Sequence, residues 1–270
     1  DYNSINILSE ILTFSKRFNG LAEKVDIIKE YSKKVKSCGF GYTENLPNIY
    51  HAIIARKVLH AHKSKTGCFL NGTSLDAYAS FAYIDTVTNM YNINYPFSIH
   101  GISPKSNSSR NMKNSRNELS QKHFKDFKNL HIYESLPNIK SSEVSITESL
   151  LCALYDTNRE EMIGTINYAV LYGKCAALNI SSVFYLYKKY RVIKNENFNN
   201  IEFIKYFIHF SKARIISKSI NLIIQLIPLY LYIFLTKRLG RSFKYKASNI
   251  DYAKQQIEEY LIDKGVKLQD

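Results

Sequence analysis

Asp76 follows Thr73 and Ser74, two residues suited to cap a helix, so its carboxylate is expected in a helix's first turn. A carboxylate there can take a proton from a neighbouring hydroxyl, or it can do no more than complement the helix dipole for about 0.3 to 1 kcal/mol. His100 stands directly before Gly101. Its imidazole can ligate Mg²⁺ or Mn²⁺ only beside oxygen ligands from elsewhere in the fold, the alternative being an ordinary hydrogen-bonded histidine. Lys105, Ser106, Ser108 and Arg110 gather cations and hydroxyls in one short stretch, which either closes over an anionic group or lies solvated. His60 and His62, two residues apart on a helix, point to opposite sides and cannot share a metal.

The elements that must position these groups follow from periodicity. Ile5 to Phe18 and Ala22 to Val35 carry apolar residues at helical spacing, broken at Asn19-Gly20 and at the Cys38 to Gly41 cluster, which predicts two short helices and a loop. Ile49, Ile53, Ile54, Val58 and Leu59 share a stripe, predicting a helix from Asn48 to Lys65 that stops at Thr66-Gly67. The helix that opens near Asp76 is expected to run toward Met90. Tyr91, Ile93, Tyr95, Phe97 and Ile99 alternate with polar residues and Pro96, the pattern of a half-buried strand at an edge or bulge, ending at His100-Gly101. A polar Ser103 to Ser109 loop and a basic stretch to about Lys128 come next. Beyond Pro137 the pattern is helical, with helices expected at 141–155, 159–176, 180–193, 200–218 and 249–262, the first capped by Ser141 or Ser142.

Composition bounds the alternatives. The chain has 270 residues, 45% of them hydrophobic, enough for one or two cores. Its formal charge of +14 suits nucleic acid, an anionic membrane surface or a nucleotide phosphate alike. The excess is concentrated: from Ser181 to Ile250, thirteen Lys or Arg stand against Glu196 and Glu202, a balance of +11. Four cysteines, at 38, 68, 152 and 175, form no C-x-x-C pair and are too sparse for a disulfide framework, which points to reduced thiols in a cytoplasmic setting.

The order Pro47-Asn48-Ile49-Tyr50-His51, Thr66-Gly67, Ser74-Leu75-Asp76, Tyr95 to Ser103 and Lys105-Ser106 resembles the acceptor-side half of a family 2 glycosyltransferase domain, over residues 40 to 110 and more loosely over 123 to 155. The resemblance implies a partial GT-A type α/β fold with few strands over residues 1–137, followed by an all-α region over 138–270. It also implies an inverting transfer from a nucleotide-sugar donor to a glycan or lipid-linked acceptor, as in bacterial surface polysaccharide synthesis. Asp76 would be the catalytic base. His100, Lys105, Ser106 and Arg110 would face the donor diphosphate, and Tyr50, His51 and Gly67 the acceptor. A divalent cation, Mg²⁺ or Mn²⁺, would be held mainly by an acidic motif of the donor half, yet the sequence contains no Asp-x-Asp. The chain is therefore expected to be a fragment lacking that half.

Ile220 to Leu235 is a sixteen-residue apolar run interrupted by Asn221, Gln225 and Pro228 and flanked on both sides by Lys and Arg. Spanning a bilayer takes roughly 20 residues of helix, so segment 212–246 is expected to lie on an anionic membrane surface at the cytoplasmic face, or else to be a buried core or oligomer helix. A non-enzymatic helical module that binds such a membrane or nucleic acid is the competing reading. Aromatics interleave with Lys188, Lys189 and Arg191, but no recognisable nucleic-acid motif surrounds them.

Overall fold

Caps and small-residue faces decide where helices form and how closely they meet. The computed structural model describes residues 11–14, 18–97, 133–194, 200–226, 243–246 and 250–267, and these are mostly helical. The chain divides into two units, one of residues 24–90 and 121–216, the other of residues 1–23, 91–120 and 217–270.

In the first unit, α1 (Ile27–Lys36) starts at Asp26, whose side chain accepts the Lys29 amide, and α2 (Arg56–Thr66) ends at Gly67 with φ of 80°. A left-handed C-cap of this kind favours glycine. α3 (Leu75–Ala82) continues into a 3₁₀ turn at Tyr83–Asp85. α4 (Ser142–Asp156) is capped by the Ser141 hydroxyl, which accepts the Val144 amide. α5 (Tyr168–Leu178), α6 (Val183–Lys194) and α7 (Asn200–Leu226) complete the series, α7 belonging to this unit as far as residue 216.

α3 lies at the centre of the core: every residue from Ala77 to Ala82 is buried. Ala77, Ala79, Ser80 and Ala82 are small, and α4 packs directly against this helix. Leu150, Leu151 and Leu154 supply the bulk from the α4 side, each burial of a leucine contributing about 1.5 to 3 kcal/mol. Backbones also approach closely at Gly173 on α5, where a Cβ would lie 2.7 Å from that of Tyr206 and 2.9 Å from the Phe207 amide. Only glycine lets α7 cross there.

In the second unit, β1 (Ile11–Phe14) pairs antiparallel with β4 (Phe243–Lys246), Ile11 opposite Lys246 and Phe14 opposite Phe243. β2 (Ala22–Lys24) pairs with β3 (Tyr91–Ile93) in a separate two-stranded sheet. α8 (Ile250–Asp263) buries Ile257, Tyr260 and Leu261 against Phe18, Tyr95 and Val266.

Several expectations need correction. Residues 11–14 form a strand rather than part of a helix, because a partner more than 200 residues away supplies the ladder. The α2 helix begins at Arg56, not Asn48: the Asn48 side chain accepts the Tyr50 amide at 3.0 Å and its carbonyl accepts the His51 amide, a local turn that competes with helix formation. Ile53 is accordingly exposed. The strand from Tyr91 is short and exposed on both faces, since a two-stranded ribbon offers no covered face. The largely helical character expected of the chain is found: helices carry the core, and the described residues contain two two-stranded sheets. Helix α7 extends eight residues past its expected end, to Leu226, entering the apolar run whose remainder lies outside the described residues. No helix among the described residues is long and apolar enough to cross a membrane.

Candidate active site at the entrance of the third helix

Asp76 occupies the first turn of α3, with Ser74 at the cap position. Both carboxylate oxygens are engaged. The Tyr42 hydroxyl donates to Oδ2 at 2.5 Å and the Ser74 hydroxyl donates to Oδ1 at 2.9 Å. Ser74 thus holds the carboxylate instead of capping the helix. Burial, then the hydrogen bond to Asp76, keep the Tyr42 phenol protonated well above the usual tyrosine range. One phenol, a hydroxymethyl and a carboxylate thus converge at one end of α3. Asp76 is half-buried, which leaves the cluster open to solvent. Each carboxylate oxygen keeps a second lone pair for an incoming hydroxyl.

A collar from α4 fixes this end of the helix. The buried Glu148 carboxylate accepts the Thr73 amide at 2.8 Å, the Thr73 hydroxyl at 2.8 Å, the Ser149 hydroxyl at 3.2 Å and the Cys152 thiol at 3.0 Å. Ser149 in turn accepts the Ser74 amide at 2.8 Å. Gly72, with φ of 79°, makes the approach possible, because a Cβ there would stand 2.6 Å from the Ser149 hydroxyl. The segment Gly72-Thr73-Ser74 is therefore tied to α4 through backbone and side chain alike, and Asp76 stands on a rigid support.

A second polar group lines the other flank of α3. The Tyr78 hydroxyl donates to Asp156 at 2.7 Å, and the Asn71 side chain donates to the same oxygen at 3.1 Å. Cys68, half-buried, places its sulfur 3.6 Å from the Tyr78 hydroxyl. His62 is fully buried with its ring against Tyr83 at 4.7 Å and its Nε2 3.3 Å from the Thr66 hydroxyl. Burial lowers its pKa below 6.5, so the ring is neutral. Asp85 pairs with Lys65 at 2.5 Å and accepts from Arg159 Nε at 2.6 Å. These groups satisfy one another, as buried polar atoms generally must.

No family model, curated protein or solved structure matches this chain.

Of the residues singled out in the sequence, Asp76 is held by Tyr42 and Ser74, while Tyr50 and His51 are exposed in the turn after Asn48. Gly67 ends α2 with open space where a side chain would be, beside Cys68 on the Asp156 flank. His100, Lys105, Ser106 and Arg110 lie outside the described residues. One carboxylate among hydroxyls is a poor seat for Mg²⁺ or Mn²⁺, which favour oxygen-rich sets, and among the described residues no group of three or more His, Cys, Asp or Glu side chains can hold a metal. Tyr42, Gly72, Glu148 and Ser149 were not singled out in the sequence. Only the Ser-Ile-Thr-Glu-Ser run at 145–149, unusually polar for a stretch followed by Leu-Leu, carried a local signal that this face of α4 meets polar partners.

Proposed function

We propose that Asp76 is the general base of an inverting, nucleotide-sugar-dependent glycosyltransferase of the family 2 kind, with the end of α3 as its acceptor side. The observation that carries the reading is the Tyr42–Asp76–Ser74 cluster, set at the solvent-facing end of a buried helix. In the reaction, an acceptor hydroxyl donates to Asp76 and loses its proton to it as the oxygen attacks the anomeric carbon. The new glycosidic C–O bond forms while the bond to the nucleoside diphosphate breaks, and the diphosphate leaves with the electron pair. Hydrogen bonds from Tyr42 and Ser74 fix the carboxylate in place, so the proton is transferred in a set geometry.

Tyr50 and His51 form the acceptor rim in this reading. His100, Lys105, Ser106 and Arg110 are assigned to the donor diphosphate, whose developing charge Lys and Arg would stabilise. The acceptor is a glycan or a lipid-linked sugar. A GT-A donor half with its own acidic motif and divalent cation belongs to the same proposal.

The test is transfer of labelled sugar from a panel of nucleotide-sugars to lipid-linked acceptors by membranes from cells producing the full-length protein. Asp76→Asn is expected to lower turnover by about 10²- to 10⁴-fold while leaving donor binding intact. Turnover within a few-fold of the unaltered protein would remove Asp76 as base.

A further inference from the structure

Between Ile201 and Ile215, helix α7 is apolar on two sides, one packed on α5 and α6 and the other exposed. Its inner face sets Phe203 on Tyr190 with ring centroids 5.8 Å apart, Tyr206 over Gly173, and Arg214 against the end of α5, where it donates to the carbonyls of Ala177 at 2.6 Å and Leu178 at 2.7 Å. Spacing of three, four and seven residues puts Ile201, Ile204, Ile208 and Ile215 on the opposite face. They are 75%, 48%, 44% and 64% exposed. Isolated exposed isoleucines are ordinary, but four in register along about four turns form a stripe.

The charges beside the stripe indicate what would cover it. Lys205 and Lys212 fall on the same face as Ile201 and Ile208 by the helical period, and both are exposed. Glu202 is the single acid between residues 200 and 226. The neighbouring α6 has a similar outer surface, with Phe184 and Val192 exposed and the Lys188 ammonium 4.5 Å over the Phe184 ring. An apolar stripe edged by lysines, with almost no acid, complements a surface that is apolar within and negative at its rim. That is the boundary of an anionic lipid leaflet. A second copy of this helix would instead bring like charges together at Lys205 and Lys212.

We infer that the outer face of α7, from Ile201 to Ile215, docks on an anionic phospholipid surface, the isoleucines entering the headgroup boundary and the lysines engaging lipid phosphates. The inference is independent of the glycosyltransferase reading and would stand without it.

The experiment is co-sedimentation of the 270-residue chain with vesicles of phosphatidylcholine alone or mixed with phosphatidylglycerol. Binding is expected only to the anionic vesicles. Each lysine near such a surface contributes about fivefold in partition, the equivalent of ~1 kcal/mol, so Lys205→Ala with Lys212→Ala is expected to weaken binding about 25-fold. Ile204→Glu with Ile208→Glu is expected to remove it. All four positions are exposed, so the melting temperature of each variant should match that of the parent, which separates lost binding from lost folding. Equal binding to neutral vesicles, or indifference to the lysine pair, would overturn the inference. So would a lipid-free dimer that dissociates in Ile204→Glu, or displacement from vesicles by a single-stranded oligonucleotide at stoichiometric concentration.

Discussion

α3 and α7 are both rich in apolar residues, and they use them differently. α3 has eight residues, six of them fully enclosed, and it reaches solvent only at the end that bears Asp76. α7 has twenty-seven, and between Ile201 and Ile215 it buries one side while a row of isoleucines faces outward. Apolar content therefore does not report burial here. What distinguishes the two is the polar fastening. The start of α3 is joined to α4 by three hydrogen bonds from Thr73 and Ser74 to Glu148 and Ser149, while the outer face of α7 is edged by exposed lysines. One helix is built to hold a group still, the other to present a surface.

The contrast predicts unequal responses to substitution, and the largest belongs to Glu148. Glu148→Ala leaves the Thr73 amide buried without an acceptor, while the Thr73 hydroxyl can still donate to the Ser145 carbonyl at 3.2 Å, so the expected cost is about 1 to 3 kcal/mol. Ile208→Ser on α7 is expected to change stability by less than about 0.5 kcal/mol, as exposed positions do. Urea unfolding of both variants checks the pair, and equal losses would mean that the α7 face is covered in the folded protein. Tyr42→Phe is a smaller cut. It removes one charge-assisted hydrogen bond at a half-buried site, expected to cost about 1 kcal/mol, and it should slow sugar transfer far less than Asp76→Asn does.

The smallest effect concerns pH. His62 has its pKa lowered in the fold by burial, so between that lowered value and 6.5 the unfolded chain binds a proton that the folded chain does not. Stability then rises with pH through this window and is lost as pH falls below about 6.5. Coulombic attraction to Asp156 and Asp85 opposes the shift and limits the slope. Melting temperatures between pH 5 and 8 should show the acid-side decline, and His62→Gln should flatten it. An unchanged profile in that variant would assign the decline to other groups.

Much of the helical order was legible because it is local. Ser141 as a cap, Gly67 as a stop and the closing helix within one residue at each end all follow from side chains that act on their own neighbours. Residues 11–14 misled because a four-residue apolar piece fits either period until its partner at 243–246 is known. The start of α2 misled because Asn48 offers the chain a turn that an apolar stripe does not reveal. At the candidate site, the position of Asp76 could be read from Thr73-Ser74 ahead of it. Its surroundings could not, since Tyr42 lies 34 residues away and Glu148 reaches Thr73 across 75.

The grip of Arg214 on the last carbonyls of α5 has a mechanical meaning. A guanidinium clasping Ala177 and Leu178 stops α7 from sliding along its axis. With Gly173 under Tyr206 as a second fixed point, α7 and α5 are pinned at two places along their length, which sets how far apart and at what register the two helices stand.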